Sequence, residues 1–247
     1  MEFHILCNPE DIAPYVFVPG DPDRAKKIAA HFNNPRFISD SRGYVIYTGE
    51  IEGIPMTVCS TGMGGPQVAI GIEELGHMGA HTFIRVGSCG TLQDNIMPGD
   101  VIIASGVVRA GATANRYLPL AFPAAPHFDV LTALVEAAER LKISAHVGID
   151  WSGDSFYAEG DPALWTKMKQ AGVISAEMEA DTLFIVANYR GWRAGALFAS
   201  DGTSKEVKPA WGEAAFRLGE ENEIRIAIEA MKFIAQADQI KQAKEER

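Results

Sequence analysis

The most informative stretch of the sequence lies near its start, at Tyr15-Val16-Phe17-Val18-Pro19-Gly20-Asp21-Pro22-Asp23-Arg24. Its first four residues form an apolar run that predicts a β-strand, Gly20 makes a turn, and a helix begins near Asp23. Backbone N–H groups at such a helix start, with Arg24 in the first turn, favour a bound anion such as phosphate. A plain turn capped by Asp23 explains the same residues, and the local pattern does not decide between the two.

Further along the chain, apolar runs alternate with amphipathic segments. This pattern predicts an α/β fold with a central mixed sheet covered by helices on both faces. The predicted strands are 16–18, 44–48, 56–60, 83–86, 101–104, 146–149 and 195–199, with 44–50 and 54–60 forming an antiparallel hairpin. The predicted helices are 23–32, 66–78, 128–141, 162–170, 180–189 and 220–237.

Composition limits the class of protein. The chain has 247 residues, a net charge of −10 and three cysteines, and no Pro/Ser/Gly-rich linker divides it. We therefore expect one domain over residues 1–247, with 239–247 as a fraying helix end. The acidic charge argues against nucleic acid as the main partner, and no apolar run approaches the length of a membrane span. Cys7, Cys59 and Cys89 lack CxxC spacing, which fits a reduced, cytoplasmic protein.

A second candidate anion site is the glycine-rich turn Arg85-Val86-Gly87-Ser88-Cys89-Gly90. An arginine, a small hydroxyl and free N–H groups at a strand end can hold a phosphate. A surface ion pair explains Arg85 about equally well when the motif is taken alone. Arg42, before the next predicted strand, is a possible third phosphate ligand, although a solvated loop arginine is its commoner role.

The remaining candidates lie in the second half of the chain. Glu177-Met178-Glu179 precedes a predicted helix, and its carboxylates can accept hydrogen bonds from a vicinal diol, although acids also simply favour a helix start. Phe156 can stack on a nucleobase or serve as a core aromatic. Asp201 follows a strand, where a general acid or an Asp-Gly turn fits equally well.

Two further motifs resemble known binding signatures but do not match them. Gly62-Met63-Gly64-Gly65-Pro66 has Gln67 where the third glycine of a dinucleotide-binding fingerprint belongs, which argues against a nucleotide-dependent oxidoreductase. His77 and His81 have metal-like spacing, but Gly79 is expected to end the helix between them. A metal shared by these two histidines is therefore not expected.

Taken together, these motifs resemble the hexameric nucleoside phosphorylases, the family of bacterial-type purine nucleoside phosphorylase and uridine phosphorylase. The resemblance runs in order along nearly the whole chain. It is carried by His4, Pro19–Pro22, Arg24, Arg42-Gly43, Gly62–Gly64, Arg85–Gly90, Phe156-Tyr157, Glu177–Glu179 and Ser200-Asp201. The family implies a single domain with a partly barrel-like mixed sheet and a homohexamer built as a trimer of dimers.

The resemblance also implies roles for these residues. Phosphate, a co-substrate, would be held by Gly20, Arg24, Arg85 and Ser88, with Arg42 donated by a neighbouring subunit. Ribose would be held by Met63, Glu177, Met178 and Glu179, with His4 of the neighbour at the 5′-hydroxyl, and Phe156 would stack on the base. Asp201 would protonate a purine, assisted by Arg217. The implied reaction needs no metal and no organic cofactor.

The implied enzyme is a pentosyltransferase of purine salvage that converts purine nucleosides and phosphate to free base and ribose 1-phosphate. Purines are favoured because Ala158-Glu159-Gly160-Asp161 lacks the glutamine and arginine with which uridine phosphorylases hold a pyrimidine. Three alternatives stay open: a uridine phosphorylase, a nucleosidase that uses water, and a nucleoside-binding protein without turnover. Arginines at 24, 42 and 85 argue against the nucleosidase, because water needs no anion site.

Overall fold

The computed structural model describes residues 1–158 and 160–245. Within them the chain forms nine strands and six α-helices. The strands are β1 Tyr15–Phe17, β2 Asn33–Ser41, β3 Tyr44–Ile51, β4 Ile54–Cys59, β5 Thr82–Thr91, β6 Val101–Arg109, β7 Ala145–Ser152, β8 Val173–Glu177 and β9 Arg193–Ser200. The helices are α1 Pro22–Ala29, α2 Gly65–His77, α3 Phe128–Leu141, α4 Pro162–Gln170, α5 Ala180–Arg190 and α6 Glu213–Glu245.

All nine strands belong to one mixed sheet. Their order is β2-β3-β4-β1-β5-β8-β7-β6-β9, and an additional pairing joins β5 to β9. That pairing closes β5, β8, β7, β6 and β9 into a barrel, while β1 to β4 extend from it as an open sheet. The predicted α/β architecture with a partly barrel-like sheet is therefore confirmed, as is the antiparallel β3–β4 hairpin.

Hydrophobic cores lie on both faces of the sheet. One is built around α2 and α5 and includes Ile72 and Phe184, and the other is built around α1, α3 and α6 and includes Ile28 and Met231. Burial of these faces is the dominant favourable contribution to folding. Among the described residues, no helix combines the length and apolar character that a bilayer crossing requires.

Two strands differ from the sequence predictions. β2 was not predicted, because its residues are mostly polar and exposed and an edge strand buries little apolar surface. β8 coincides with an apolar run too short to distinguish a strand from a helix. The last helix is longer than predicted: it begins at Glu213 and continues through Glu245, while 246–247 lie outside the described residues.

The local sequence explains why α1, which carries Arg24, begins where it does. Asp21 caps α1 by accepting a hydrogen bond from the Asp23 backbone N–H at 2.9 Å, and Pro22 occupies the first helical position. Both features favour helix initiation at this residue. Arg24 is consequently fixed in the first turn, next to the carboxyl ends of β1 and β5.

Candidate active site

The ends of β5, β8 and β9 bring the predicted site residues together. β5 and β9 run parallel, with Ser88 opposite Ala199 and Cys89 opposite Ser200. The Asp201 backbone N–H then donates to the Cys89 carbonyl at 2.9 Å. Because β8 pairs with the end of β5, Glu177 lies at the same edge of the sheet. Clefts at the carboxyl ends of strands are the usual ligand sites of α/β proteins.

Arg24 is buried at this edge. Its Nη2 donates to Ser88 Oγ at 2.8 Å and its Nη1 to the Val86 carbonyl at 3.2 Å. On the other side, Nε donates to Glu220 Oε1 at 2.9 Å. The side chain is thus oriented by contacts to β5 and to α6, with its charge held beside the Ser88 hydroxyl.

Arg85 is the second buried arginine. Its Nε donates to Glu177 Oε2 at 2.8 Å, and its Nη2 pairs with Glu179. Within the described part of the chain, Nη1 is buried without a hydrogen-bond partner. Burying a donor without a partner costs free energy. A ligand oxygen that accepts a hydrogen bond from Nη1 would therefore remove this cost and form a charge-assisted hydrogen bond.

Gly20 brings backbone close to this arginine. A Cβ at Gly20 would lie 2.8 Å from the Gly62 carbonyl oxygen and 3.9 Å from Arg85 Nη1. The first distance leaves no room for a side chain. The turn after β1 therefore requires glycine and lies within reach of the same ligand as Arg85.

The two glutamates of Glu177-Met178-Glu179 have different surroundings. Glu177 accepts from the backbone N–H groups of Glu179 and Ala180, each at 2.9 Å, at the start of α5. Glu179 instead accepts from the Gly64 backbone N–H and pairs with Arg85. Burial raises the pKa of Glu179, while Arg85 opposes that shift. Met178 is half-buried beside them.

Sequence reasoning missed two acids of α6. Glu220 pairs with Arg24 and with Lys27, and fully buried Glu223 lies with Oε1 3.4 Å from Arg24 Nε. Burial raises the pKa of Glu223 to about 8, although Arg24 partly offsets the shift. A signal was present, because Glu223 falls at helical spacing with buried Ile226, Ala227 and Ala230.

Asp201 is mostly buried and forms an ion pair with Lys208. Burial raises its pKa, and the nearest opposing charge is Lys208, whose Nζ lies 3.2 Å from Asp201 Oδ2. The sequence analysis assigned this assisting role to Arg217. In the structure Arg217 is exposed on α6 and pairs with Glu213 one helical turn away, so the cation against Asp201 is Lys208.

Four predicted residues lie away from the buried cluster. The His4 ring bonds to Glu74 of α2 with Nδ1 2.5 Å from Oε1, and Arg42 is exposed in the turn between β2 and β3. Phe156 is half exposed, with its ring against Tyr157, and Met63 is exposed in the glycine-rich loop before α2. Among the described residues none of the four contacts Arg24 or Arg85 through a hydrogen bond or an ion pair. Their assigned roles remain predictions.

Comparison with known proteins decides the family. A model of the phosphorylase superfamily matches residues 14–233. The chain belongs to this superfamily. A uridine phosphorylase from Thermococcus kodakarensis is 42% identical, with 98% of this chain and 90% of that protein covered. A guanosine phosphorylase from Halorubrum lacusprofundi is 39% identical over 81% of this chain and 82% of its own length.

Solved structures of the superfamily agree with this assignment. The crystal structure of uridine phosphorylase from Vibrio fischeri ES114 has a TM-score of 0.88 and 32% identity, covering 92% of this chain and 95% of that one. The resemblance to nucleoside phosphorylases is therefore confirmed. The expectation that the chain is closest to the purine enzymes is not supported, because uridine phosphorylases predominate among these relatives.

Proposed function

We propose that the chain catalyses phosphorolysis of nucleosides to free base and ribose 1-phosphate, with uridine as the main substrate. The observation that carries the reaction type is the placement of two buried arginines at the Gly87-Ser88 turn of an acidic protein: Arg24 Nη2 donates to Ser88 Oγ, and a Cβ at Gly87 would lie 2.9 Å from Arg85 Nη2. Their guanidinium groups supply the positive charge and N–H donors that a phosphate dianion requires.

The arrangement suits a reaction governed by positioning and electrostatics. Breaking the bond between C1′ and the base nitrogen builds positive charge on the ribose and negative charge on the base. A phosphate held by Arg24 and Arg85 would stabilise the ribose charge and then bond to C1′, while the electron pair of the broken bond leaves with the base. Glu179, which lies against Arg85, would accept hydrogen bonds from the ribose hydroxyls next to that phosphate.

The preference for uridine rests on the relatives. Uridine phosphorylases from Thermococcus kodakarensis and Treponema pallidum are 42% and 40% identical to this chain. The stretch 158–161 still lacks a glutamine–arginine pair. A uracil would therefore need other partners here, and Glu159 of this stretch lies outside the described residues.

A purine nucleoside is the second candidate. Asp201 lies at the end of β9, and burial raises its pKa in the direction that a general acid needs. A guanosine phosphorylase is also among the relatives. If Asp201 is that acid, Asp201→Asn should lower inosine or guanosine turnover by about 10²–10⁴-fold. 7-Methylguanosine, whose base is already activated as a leaving group, should lose much less, and equal losses would remove the acid role.

The experiment that tests the proposal compares substrates directly. Uridine, inosine, guanosine, adenosine and methylthioadenosine are incubated with the enzyme and phosphate, and the released base is measured. The proposal predicts the highest kcat/KM with uridine. A higher value with guanosine or inosine would transfer the assignment to the purine candidate, and no base release from any of them would contradict both.

We also propose that the active enzyme is a hexamer in which Arg42 and His4 reach the site of a neighbouring subunit. What supports this is their position: Arg42 is exposed and His4 half-exposed, and neither contacts the buried arginines of its own chain. The resemblance to the family implies that both residues contribute to the site of an adjacent subunit.

A further inference from the structure

The surroundings of Asp201 contain a cation that the sequence analysis did not use. Lys208 Nζ lies 3.2 Å from Asp201 Oδ2, and the Lys208 side chain is 64% exposed while that of Asp201 is only 13% exposed. The ion pair therefore spans the boundary between the buried strand end and the open side of the site. An exposed lysine amine is a compact charge with three donors, of which Asp201 occupies at most one or two.

The loop after β9 reverses direction and thereby places Lys208 next to Asp201. Gly202 and Val207 form an antiparallel bridge, and the Thr203 backbone N–H donates to the Glu206 carbonyl at 2.8 Å. A Cβ at Gly202 would lie 3.0 Å from that same carbonyl oxygen, so the close return favours glycine. Within this hairpin loop, residues 202–208, the chain reverses and places Lys208 beside Asp201.

The hairpin loop is also anchored to the protein. Ser204 Oγ hydrogen-bonds to Asp94 in the loop after β5, and Asp94 also receives Lys169 Nζ of α4 at 2.7 Å. The Trp211 indole donates to Glu206 at 3.3 Å. The Ser204 contact thus holds the hairpin loop against the loop after β5, and the Trp211 contact joins it to the residues that follow it.

We propose that Lys208 is the specificity-determining donor for the nucleobase, and that it selects bases with a carbonyl oxygen at C4 of a pyrimidine or C6 of a purine over bases with an amino group at that position. The ionised Asp201 carboxylate orients the ammonium, and the remaining N–H groups point at the base. This role replaces the general-acid role that the purine candidate gives to Asp201. The inference rests on the proposed function and names the class of base that the same site accepts.

The chemistry of the leaving base explains why a donor belongs there. When the bond to C1′ breaks, the electron pair enters the ring, and in uracil or a 6-oxopurine the negative charge spreads onto the carbonyl oxygens. A preorganised ammonium stabilises that charge as it develops. At that position cytosine and adenine instead carry an amino group, so two donors would face each other and neither would have an acceptor.

This assignment accounts for two features at once. The stretch 158–161 has no glutamine–arginine pair, and Lys208 supplies a donor from a different part of the chain. It also makes uridine and guanosine alternatives of one chemical class, because uracil has a carbonyl oxygen at C4 and guanine has one at C6.

The test compares matched nucleosides with the intact enzyme and three variants. The pairs are uridine with cytidine and inosine with adenosine, with kcat/KM measured at saturating phosphate. We expect the wild type to prefer the carbonyl member of each pair by about 100-fold or more. Lys208→Met should lower kcat/KM for uridine and inosine by about 10- to 100-fold and leave the amino substrates little changed, so the preference collapses.

Two controls separate recognition from folding. Lys208→Arg keeps a donor and should retain the preference. Lys205→Met removes an exposed charge from the same hairpin loop and should leave all four values unchanged. Equal cleavage of both members of a pair by the wild type, or an equal loss for all four substrates in Lys208→Met, would overturn the proposal.

A binding measurement keeps the inference testable if the proposed function fails. Uracil and cytosine, and hypoxanthine and adenine, are titrated into the enzyme with phosphate present. Tighter binding of uracil and hypoxanthine, lost in Lys208→Met, supports the role of Lys208 even without turnover. Equal binding within both pairs contradicts it, whether or not the enzyme cleaves nucleosides.

Discussion

Arg24 and Glu220 form a buried ion pair that joins the first helix to the last, with Nε of the arginine 2.9 Å from Oε1 of the glutamate. The two residues are 196 positions apart in the sequence. Nη2 of the same guanidinium donates to Ser88 Oγ at 2.8 Å. Glu220 therefore fixes the direction in which Arg24 presents its donors to an anion.

Glu220→Ala should raise the KM for phosphate about tenfold, because a loosely held guanidinium loses part of its charge-assisted hydrogen bonding. Glu220→Gln keeps an acceptor oxygen and should recover most of the loss. Steady-state kinetics with varied phosphate give the values, with exposed Glu221→Ala as the control. An unchanged phosphate KM in Glu220→Ala would show that Arg24 needs no support from α6.

Glu177 is predicted to be structural as well as part of the site. Its buried carboxylate accepts hydrogen bonds from Arg85 and from two backbone N–H groups of the turn into α5. Removing one partner of a buried ion pair costs about 3–5 kcal/mol, so Glu177→Ala should lower the free energy of unfolding by that amount. Urea denaturation measures it. Exposed Glu139→Ala on α3 should change stability by less than about 0.5 kcal/mol, and a similarly small effect at Glu177 would refute the structural role.

Glu223 should make stability depend on pH. Burial raises its pKa from 4.5 to about 8, so between these values the folded protein holds a proton that the unfolded chain has lost. The free energy of unfolding should therefore fall as pH rises through this range, with the loss complete above about pH 8. Glu223→Gln cannot ionise and should lack this component.

The measurement is chemical denaturation of the wild type and Glu223→Gln at several pH values between 4.5 and about 8. Stability of the wild type relative to Glu223→Gln should decline steadily with increasing pH. A constant or rising difference would mean that Glu223 is ionised in the folded protein across the range.

Arg42 is predicted to act across a subunit interface. A mixture of Arg42→Ala and Arg24→Ala proteins, each inactive alone, should regain activity after subunit exchange, because some interfaces then hold one intact site. Base release by the mixture measures the recovery. No recovery, with exchange shown by mass spectrometry of differently tagged subunits, would count against a site that Arg42 completes across a subunit interface.

The strands that could be predicted from the sequence are those with a clear apolar run. The site residues that could be predicted are those that belong to a short local motif. Arg24 and Arg85 were identified because each lies in a glycine-containing turn after an apolar strand. Glu220 and Lys208 were not, since their roles arise from the packing of α6 and from the return of the hairpin loop. Tertiary contacts of this kind leave no short-range pattern.

The preference for a base was the least predictable part. It was inferred from what 158–161 lacks and from Asp201, and neither feature showed which cation would stand beside that carboxylate. The exposed Arg217 fits the expected order along the chain, yet the fold pairs it with Glu213 and brings Lys208 to Asp201. Chain order alone therefore gave the wrong partner for this acid.

A phosphate held by Arg24 and Arg85 is the proposed nucleophile. Release of uracil from uridine is followed in phosphate-free buffer and with increasing phosphate, and ribose 1-phosphate is detected alongside it. We expect base release to saturate with phosphate, with one ribose 1-phosphate formed per uracil. Equal base release without phosphate, with free ribose as the product, would contradict it and make the protein a hydrolase.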